Sequence, residues 1–306
     1  MDGFLNLLKP RGVTSHDIVA VVRRMLREKQ VGHLGTLDPL AVGVLPLAIG
    51  AYRRLSEYFL VEDKRYFAEF TFGVSTDTGD TDGRIEAEVD ASFVTREKVD
   101  ALLPKYRGRI LQRPPAYSAL KVKGRKMLDL AREGLEAEKE PREVTVHELT
   151  LVGWENGRNP KGLFSMTVGR GTYVRSLAIS LGEDLGCGAA VSYLLRERVG
   201  KFRLSDSVSI RRLREMMVEG WLERALLDPL SVLPEYPQVS VGAKALHKIA
   251  HGVQLEPRDL TCGLPEGEPG PIMVVHTGGR AQNSLVAVVK VKAPGKIAYE
   301  KVLYQE

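Results

Sequence analysis

Cysteine is scarce in this 306-residue chain. Cys187 and Cys262 each stand alone, with no second cysteine near enough in sequence to make a metal or redox pair, so both are expected to be buried thiols. Long apolar runs are missing too. The greasiest stretch, Ala41 to Ala51, is interrupted by Gly43, Pro46 and Gly50, too broken to cross a bilayer. The opening Met1-Asp2-Gly3-Phe4 has neither the basic region nor the apolar core of a signal peptide, so the expected location is the cytoplasm. There is no GxxxxGK[ST] phosphate loop, no GxGxxG opening a helix and no GxSxG elbow, which removes support for nucleotide, dinucleotide and hydrolase chemistry. His247 and His251 have helical i, i+4 spacing but lack the glutamate of a zinc protease. The acidic stretch TDTGDTDG, aligned to a calcium loop, puts Val89 where the bidentate glutamate belongs. No metal is expected.

What is present describes a globular protein. A hydrophobic content of 43% with 27% charged residues suits a packed core, and the length predicts two domains, or one large domain with an appendage. Phe4 to Lys9 reads as a strand, and Thr14 to Asp17 has the spacing of a capping box before a helical run through Leu26. Val31 to Gly43 reads as loop and Val44 to Ile49 as a buried strand. Tyr66 to Phe72 and Ile85 to Val89, either side of the acidic turn, read as a hairpin. Helices are expected from Thr95 to about Leu103, Arg125 to Glu133 and Val174 to Leu185, with short ones at Arg211 to Val218 and Gly220 to Leu227. Strands are expected at Val144 to Trp154 and Leu163 to Val168. Three prolines between Pro229 and Pro237 suggest a linker to a separate β-rich unit: a helix near Ala243 to Ala250, then strands at Ile272 to His276, Leu285 to Lys292 and Ile297 to Leu303. The expected fold is α+β: a mixed, largely antiparallel sheet over residues 1–233, followed by a small β-barrel-like domain over 234–306.

Forty-four basic against thirty-nine acidic residues leave +5, too little to establish a polyanionic partner. The distribution says more. From Lys105 to Lys126 stand eight basic residues, Lys105, Arg107, Arg109, Arg113, Lys121, Lys123, Arg125 and Lys126, with Tyr106 and Tyr117 interleaved and no acidic residue. Such a one-signed segment with rings suits RNA, since cations displace counterions from phosphates while aromatics stack on bases.

A second segment carries chemistry. In Val31-Gly32-His33-Leu34-Gly35-Thr36-Leu37-Asp38-Pro39-Leu40-Ala41-Val42-Gly43, the glycines permit a tight loop and Asp38 is its single carboxylate, held from behind by Pro39 and flanked by apolar residues. Such an aspartate can be a nucleophile. It can equally be an Asp-Pro turn whose carboxylate caps a backbone amide, and these residues alone leave both open.

Six ordered segments over about 170 residues decide the resemblance: Leu7-Leu8-Lys9-Pro10-Arg11-Gly12, GHLGTLDPLAVGVL, Lys64-Arg65-Tyr66, TDTGDTDG, Arg113-Pro114-Pro115-Ala116-Tyr117-Ser118-Ala119-Leu120-Lys121 and Gly169-Arg170-Gly171-Thr172-Tyr173-Val174-Arg175-Ser176. Together they resemble the TruB family of tRNA pseudouridine-55 synthases, and the last seventy residues resemble the small PUA RNA-binding domain. The resemblance implies a stand-alone enzyme that isomerises uridine 55 in the T-loop of tRNA, with no cofactor. Asp38 is then the catalytic aspartate, as nucleophile at C1′ or in glycal formation, with Arg175 as the cation that keeps it ionised. Tyr66 is expected as an exposed ring that stacks on the flipped uracil and is a candidate for handling the C5 proton. On the substrate side the family pattern sets Tyr173 and Leu194 as pocket walls and His33 as the group entering the RNA loop, with Lys9, counted among the substrate-side residues, and Asp80 supporting the cleft or its main-chain geometry. Arg113, Tyr117, Lys121, Lys123, Arg125 and Lys126 fall in an RNA-facing insert around residues 105–145. The pattern departs at Leu194-Leu195-Arg196, where Leu195 replaces a family arginine. Two competitors share the motifs: a guide-RNA-dependent, dyskerin-like synthase, disfavoured because the chain opens directly at the Lys9 motif, and a non-catalytic RNA-binding or RNA-folding protein. The partner expected is the T stem-loop of tRNA, with no membrane and a monomer as default.

Overall fold

A computed structural model describes residues 1–59, 62–115, 117, 121–122, 125–126, 140–265, 270–276, 284–293 and 295–304, with the backbone alone for 121–122 and 125–126. Its centre is a mixed sheet. From one edge the strands run Leu226–Leu227, Gly3–Lys9, Val42–Ile49, Ala189–Val199, Lys64–Phe72, Lys161–Val168, Arg142–Glu155 and Gly108–Gln112. Most neighbours are antiparallel, and the pairing of Leu195 with Val42 and Arg196 with Gly43 is parallel. This is the mixed, largely antiparallel α+β sheet that the sequence leads one to expect.

The strand Ala189–Val199 has no counterpart in the sequence reading, although it lies between Val42–Ile49 and Lys64–Phe72. Its AAVSYLLRERV carries charges through its second half, which hides a buried strand from any hydrophobic pattern. The expected hairpin is also redrawn. Lys64–Phe72 pairs with Lys161–Val168 and Ala189–Val199, while the short strand Val74–Thr76 turns back onto Ile85–Glu88. Gly73, at φ +84°, breaks the chain direction between the two strands. Val31–His33, expected as loop, pairs with Val42–Ile49. Arg125–Lys126, expected to open a helix, pairs as a strand with Lys121–Val122; residues 127–133 lie outside the described residues. The end of the Gly220 to Leu227 segment is the edge strand beside Gly3–Lys9.

Other expectations hold. Thr14 caps the helix Ser15–Leu26 in a capping box with Asp17, and Thr95 caps Arg96–Leu102. The helix Val174–Asp184 packs on the central sheet and buries Val174, Leu177, Ala178 and Leu181. The C-terminal strands Gln238–Val241, Ile272–His276, Ser284–Ala293 and Lys296–Val302 form a four-stranded sheet with the helix Ala243–Ala250 against it. This unit is less separate than its composition suggests. Met273, Leu285, Val288 and Leu303 share one core with Phe4, Tyr52, Phe59 and Phe202 of the first unit. The proline-rich segment expected as a linker forms a one-turn helix, Pro229–Val232, and buries Val232 and Leu233 in that same core. Of the two cysteines, Cys187 is buried and Cys262 is exposed, against the expectation that both are buried.

Candidate active site

Asp38 stands on the loop between Val31–His33 and Val42–Ile49, with Leu37 and Leu40 buried on either side of it. A turn closes the loop, since the Ala41 N–H donates to the Asp38 carbonyl at 3.1 Å. Ser15, buried at the start of the first helix, holds Leu37 from both sides: its hydroxyl donates to the Leu37 carbonyl at 3.0 Å and accepts the Leu37 N–H at 2.9 Å.

Two buried cations fasten the same loop. Lys9 is wholly inaccessible, and its ammonium donates to the carbonyls of Val13 (2.7 Å), Pro10 (2.9 Å) and Pro39 (3.3 Å). Burial pushes Lys9 down to about 8, against the opposing pull of Asp38 and with a smaller contribution from Arg196. Of the two roles expected of Lys9, direct contact with substrate and support of the main chain, its burial and its three carbonyl partners match the second. Arg196 is 1% exposed, and donates to the carbonyls of Val44 (2.8 Å), Thr36 (3.0 Å) and Gly35 (3.1 Å). One guanidinium thereby ties the strand after the loop to the loop itself. Sequence reasoning noticed this segment only for its replaced arginine; the missed signal is an arginine two residues from Leu194 on one face of an apolar strand.

Arg175 comes to Asp38 from the first turn of the helix Val174–Asp184. Its Nε lies 2.8 Å from Asp38 Oδ2 and 3.8 Å from Asp80 Oδ2. The short approach is off the N–H axis, so it is a contact ion pair without an aligned hydrogen bond. The other guanidinium nitrogens donate to the carbonyls of Thr78 (2.8 Å) and Tyr117 (2.9 Å). The Arg175 side chain is 6% exposed and that of Asp38 is 32% exposed, so the carboxylate keeps an open side while its cation is sealed behind it. Asp80, buried in the acidic turn, accepts the Thr78 hydroxyl at 2.8 Å. Burial raises the Asp80 carboxyl above the usual carboxylate range, opposed by the Thr78 hydrogen bond and by Arg175. The turn is stitched to the central strand through Thr81 N–H to the Val191 carbonyl (2.9 Å) and Val191 N–H to the Gly79 carbonyl (3.1 Å).

The remaining candidates fall in different places. Tyr66 sits between Met166 and Arg196 in the sheet and is 9% exposed, so the expected exposed ring is a nearly buried one in the main core. Leu194 is buried in that core. Tyr173 precedes the Arg175 helix, half-buried, its main chain clamped by Gln112, which accepts its N–H (2.8 Å) and donates to its carbonyl (3.0 Å). Gln112 also escaped the sequence reading. His33 is half-buried, with burial and then His16 and Arg196 holding it below its ordinary range. Arg113 is exposed, and its carbonyl accepts the Ser176 hydroxyl at 2.7 Å. Lys123 lies outside the described residues, and Lys121, Arg125 and Lys126 are described as backbone only. The one-signed segment is partly neutralised by the fold, since Lys105 pairs with Asp184 (2.5 Å) and Arg109 with Glu143 (3.9 Å).

Among solved structures, a chain of the Cbf5–Nop10–Gar1 complex superposes with a TM-score of 0.72 at 25% identity, covering 99% of this chain and 85% of that one. A family model described as "TruB family pseudouridylate synthase (N terminal domain)" matches residues 23–174, and "tRNA pseudouridylate synthase B C-terminal domain" matches 175–233. Curated relatives called tRNA pseudouridine synthase B include one from Symbiobacterium thermophilum, 46% identical over 83% of each chain. Others come from Pelotomaculum thermopropionicum, 40% identical over 92% of each, and Dehalococcoides mccartyi strain CBDB1, 37% identical over 100% of this chain and 98% of the relative. The fold and these relatives place the chain among the pseudouridine synthases, a class of isomerases. Within that class, the chain belongs to the TruB family.

Proposed function

We propose that the chain acts as a stand-alone, cofactor-free monomer on folded tRNA, converting uridine 55 of the T stem-loop to pseudouridine. The observation that carries the reading is the pair of Asp38 and Arg175, a carboxylate with one open side whose counter-ion is buried. In the reaction the C1′–N1 bond breaks, the uracil turns, C5 bonds to C1′, C5 gives up its proton and N1 gains one. Attack by Asp38 on C1′ and assisted glycal formation both require an ionised carboxylate, and Arg175 is the counter-ion placed beside it. Extruding the base costs on the order of a few kcal/mol, which stacking, pocket contacts and phosphate pairing must offset. Tyr66, Leu194 and Tyr173 are assigned to that pocket, Tyr66 also to the C5 proton, and His33 to the space the base vacates. Lys9 and Asp80 act behind them on loop and guanidinium. Residues 105–145 serve as the RNA-facing insert through Arg113, Tyr117, Lys121, Lys123, Arg125 and Lys126, and residues 234–306 as a PUA-like RNA-binding domain beside the catalytic residues 1–233.

The relatives at 37 to 46% identity favour the stand-alone enzyme over a guide-RNA-dependent one, since the solved chain of the Cbf5–Nop10–Gar1 complex is only 25% identical to this chain. The test is direct. Purified protein and an unmodified T-arm transcript, with nothing added, should give one pseudouridine at position 55 when isomerised uridines are mapped at nucleotide resolution. Isomerisation elsewhere, or only with an added guide RNA, overturns the reading.

A further inference from the structure

Beside the Asp38 loop lies a cavity of about 260 Å³, in whose lining His33 alone has a part in the reaction as described. Its polar lining comes from three elements: His16 and Arg23 of the first helix, His33 of the short strand, and Arg53 and Ser56 from the segment following Val42–Ile49. Among the described residues, no carboxylate lines it. Arg23 gives two N–H groups to the Val31 carbonyl, at 2.8 and 3.2 Å, which fixes its guanidinium at the wall. Arg53 is exposed and its side chain lies over Gly32, where an added Cβ would come within 3.4 Å of Nε. The rings of His16 and His33 meet edge to face at 5.6 Å, and His33 Nδ1 is shut off from solvent with no hydrogen-bond partner.

Like charges converging on a cavity without a counter-charge repel one another, and an entering anion relieves that repulsion while giving each donor an acceptor. Two arginines and two imidazoles match the oxygens of a phosphate, which accept several charged hydrogen bonds at once. Burial, then His16 and Arg196, hold His33 towards its neutral form, and an anion in the cavity opposes that. His33 also stands on the segment that runs directly into the Asp38 loop. We propose that this cavity is a phosphate subsite which takes a backbone phosphodiester of the RNA substrate, paired with Arg53 and Arg23 and accepting hydrogen bonds from His16 and His33. The proposal rests on the reading of this chain as an RNA-modifying enzyme and extends it to a contact outside the reacting nucleotide.

The test uses the full chain. Histidine ring signals are followed by NMR against pH, first with inorganic phosphate and then with the T-arm transcript, for wild type, Arg53→Met and Arg53→Lys. Arg53 is exposed, so both variants are expected to fold, and thermal melting checks it. The expected result is a rise of about half a pH unit or more in the titration of His33 on adding RNA, lost in Arg53→Met and kept in Arg53→Lys. In turnover, Arg53→Met should raise KM about fivefold, leave kcat within about twofold, and lower the salt slope of RNA binding by roughly 0.7 to 0.9. Histidines that ignore the RNA, or an Arg53→Met protein with the wild-type salt slope, overturn the proposal. A response to inorganic phosphate with an unchanged RNA salt slope marks an adventitious ion only, and overturns it too. Failure of the functional reading shows separately, as wild-type protein that makes no pseudouridine in the transcript.

Discussion

Asp38 and Arg175 differ in exposure: the carboxylate keeps one side open to solvent, and the guanidinium is sealed behind it with the Thr78 and Tyr117 carbonyls. Asp38→Asn keeps the shape and removes the charge. RNA binding should stay within a few fold while pseudouridine formation falls by about a thousandfold or more, measured by single-turnover assay beside filter binding. Arg196→Met leaves the carbonyls of Gly35, Thr36 and Val44 without their donor, that of Val44 fully buried and the other two nearer the surface. At roughly 1 to 3 kcal/mol for an unpartnered buried group and less where water can reach, the loss should reach about 3 kcal/mol in urea denaturation. Arg196→Lys should recover part of it, because an ammonium cannot span three acceptors in fork geometry. Lys9 supplies a pH test. The folded chain releases its proton at about 8, the unfolded chain at the ordinary 10.5, so between these values the unfolded state holds more protons. Stability relative to Lys9→Met should therefore rise with pH through that window, and a flat difference in melting temperature would refute the assignment.

At the scale of elements, the site depends on one parallel contact. Gly43 pairs with Arg196 where the strand Val42–Ile49 runs beside Ala189–Val199. Its φ is +114°, and an added Cβ would stand 2.2 Å from the Arg196 carbonyl oxygen. Gly43→Ala combines backbone strain with a clash that main chain cannot avoid, and should cost about 3 kcal/mol in denaturant titration and lower activity with it. Elements with local signatures were legible beforehand. The capping box at Thr14 and Asp17, the Thr95 cap and the helix of Arg175 announce themselves within a few residues. Ala189–Val199 does not, because its inward-facing Arg196 is paid for by carbonyls brought from another part of the chain. For the same reason the partner of Lys64–Phe72 was misassigned: proximity in sequence favours a hairpin, whereas the sheet pairs it with two distant strands.

For the whole molecule the second core matters most. Phe4, Tyr52, Phe59 and Phe202 pack with Met273, Leu285, Val288 and Leu303, and Arg54 donates to the Val302 carbonyl at 2.5 Å across the same junction. Shared apolar burial couples the C-terminal sheet to the central one. Calorimetry should show a single transition with the calorimetric enthalpy close to the van't Hoff value, and two resolved peaks would mean that the junction is weaker than its packing suggests.

The sequence by itself determined the inventory and its order: a single loop carboxylate, the motifs that mark the family, the local caps and turns, and a chain with no long apolar run. These rest on neighbours a few residues apart, or on residues that speak one at a time. Only the tertiary structure decided that Arg175 meets Asp38, that Lys9 and Arg196 turn inward to hold carbonyls, that Tyr66 is nearly buried and that Asp184 and Glu143 offset part of the basic segment. Each of these depends on which strands lie side by side. That order is set by burying apolar faces across the entire chain, and a local pattern carries no record of it.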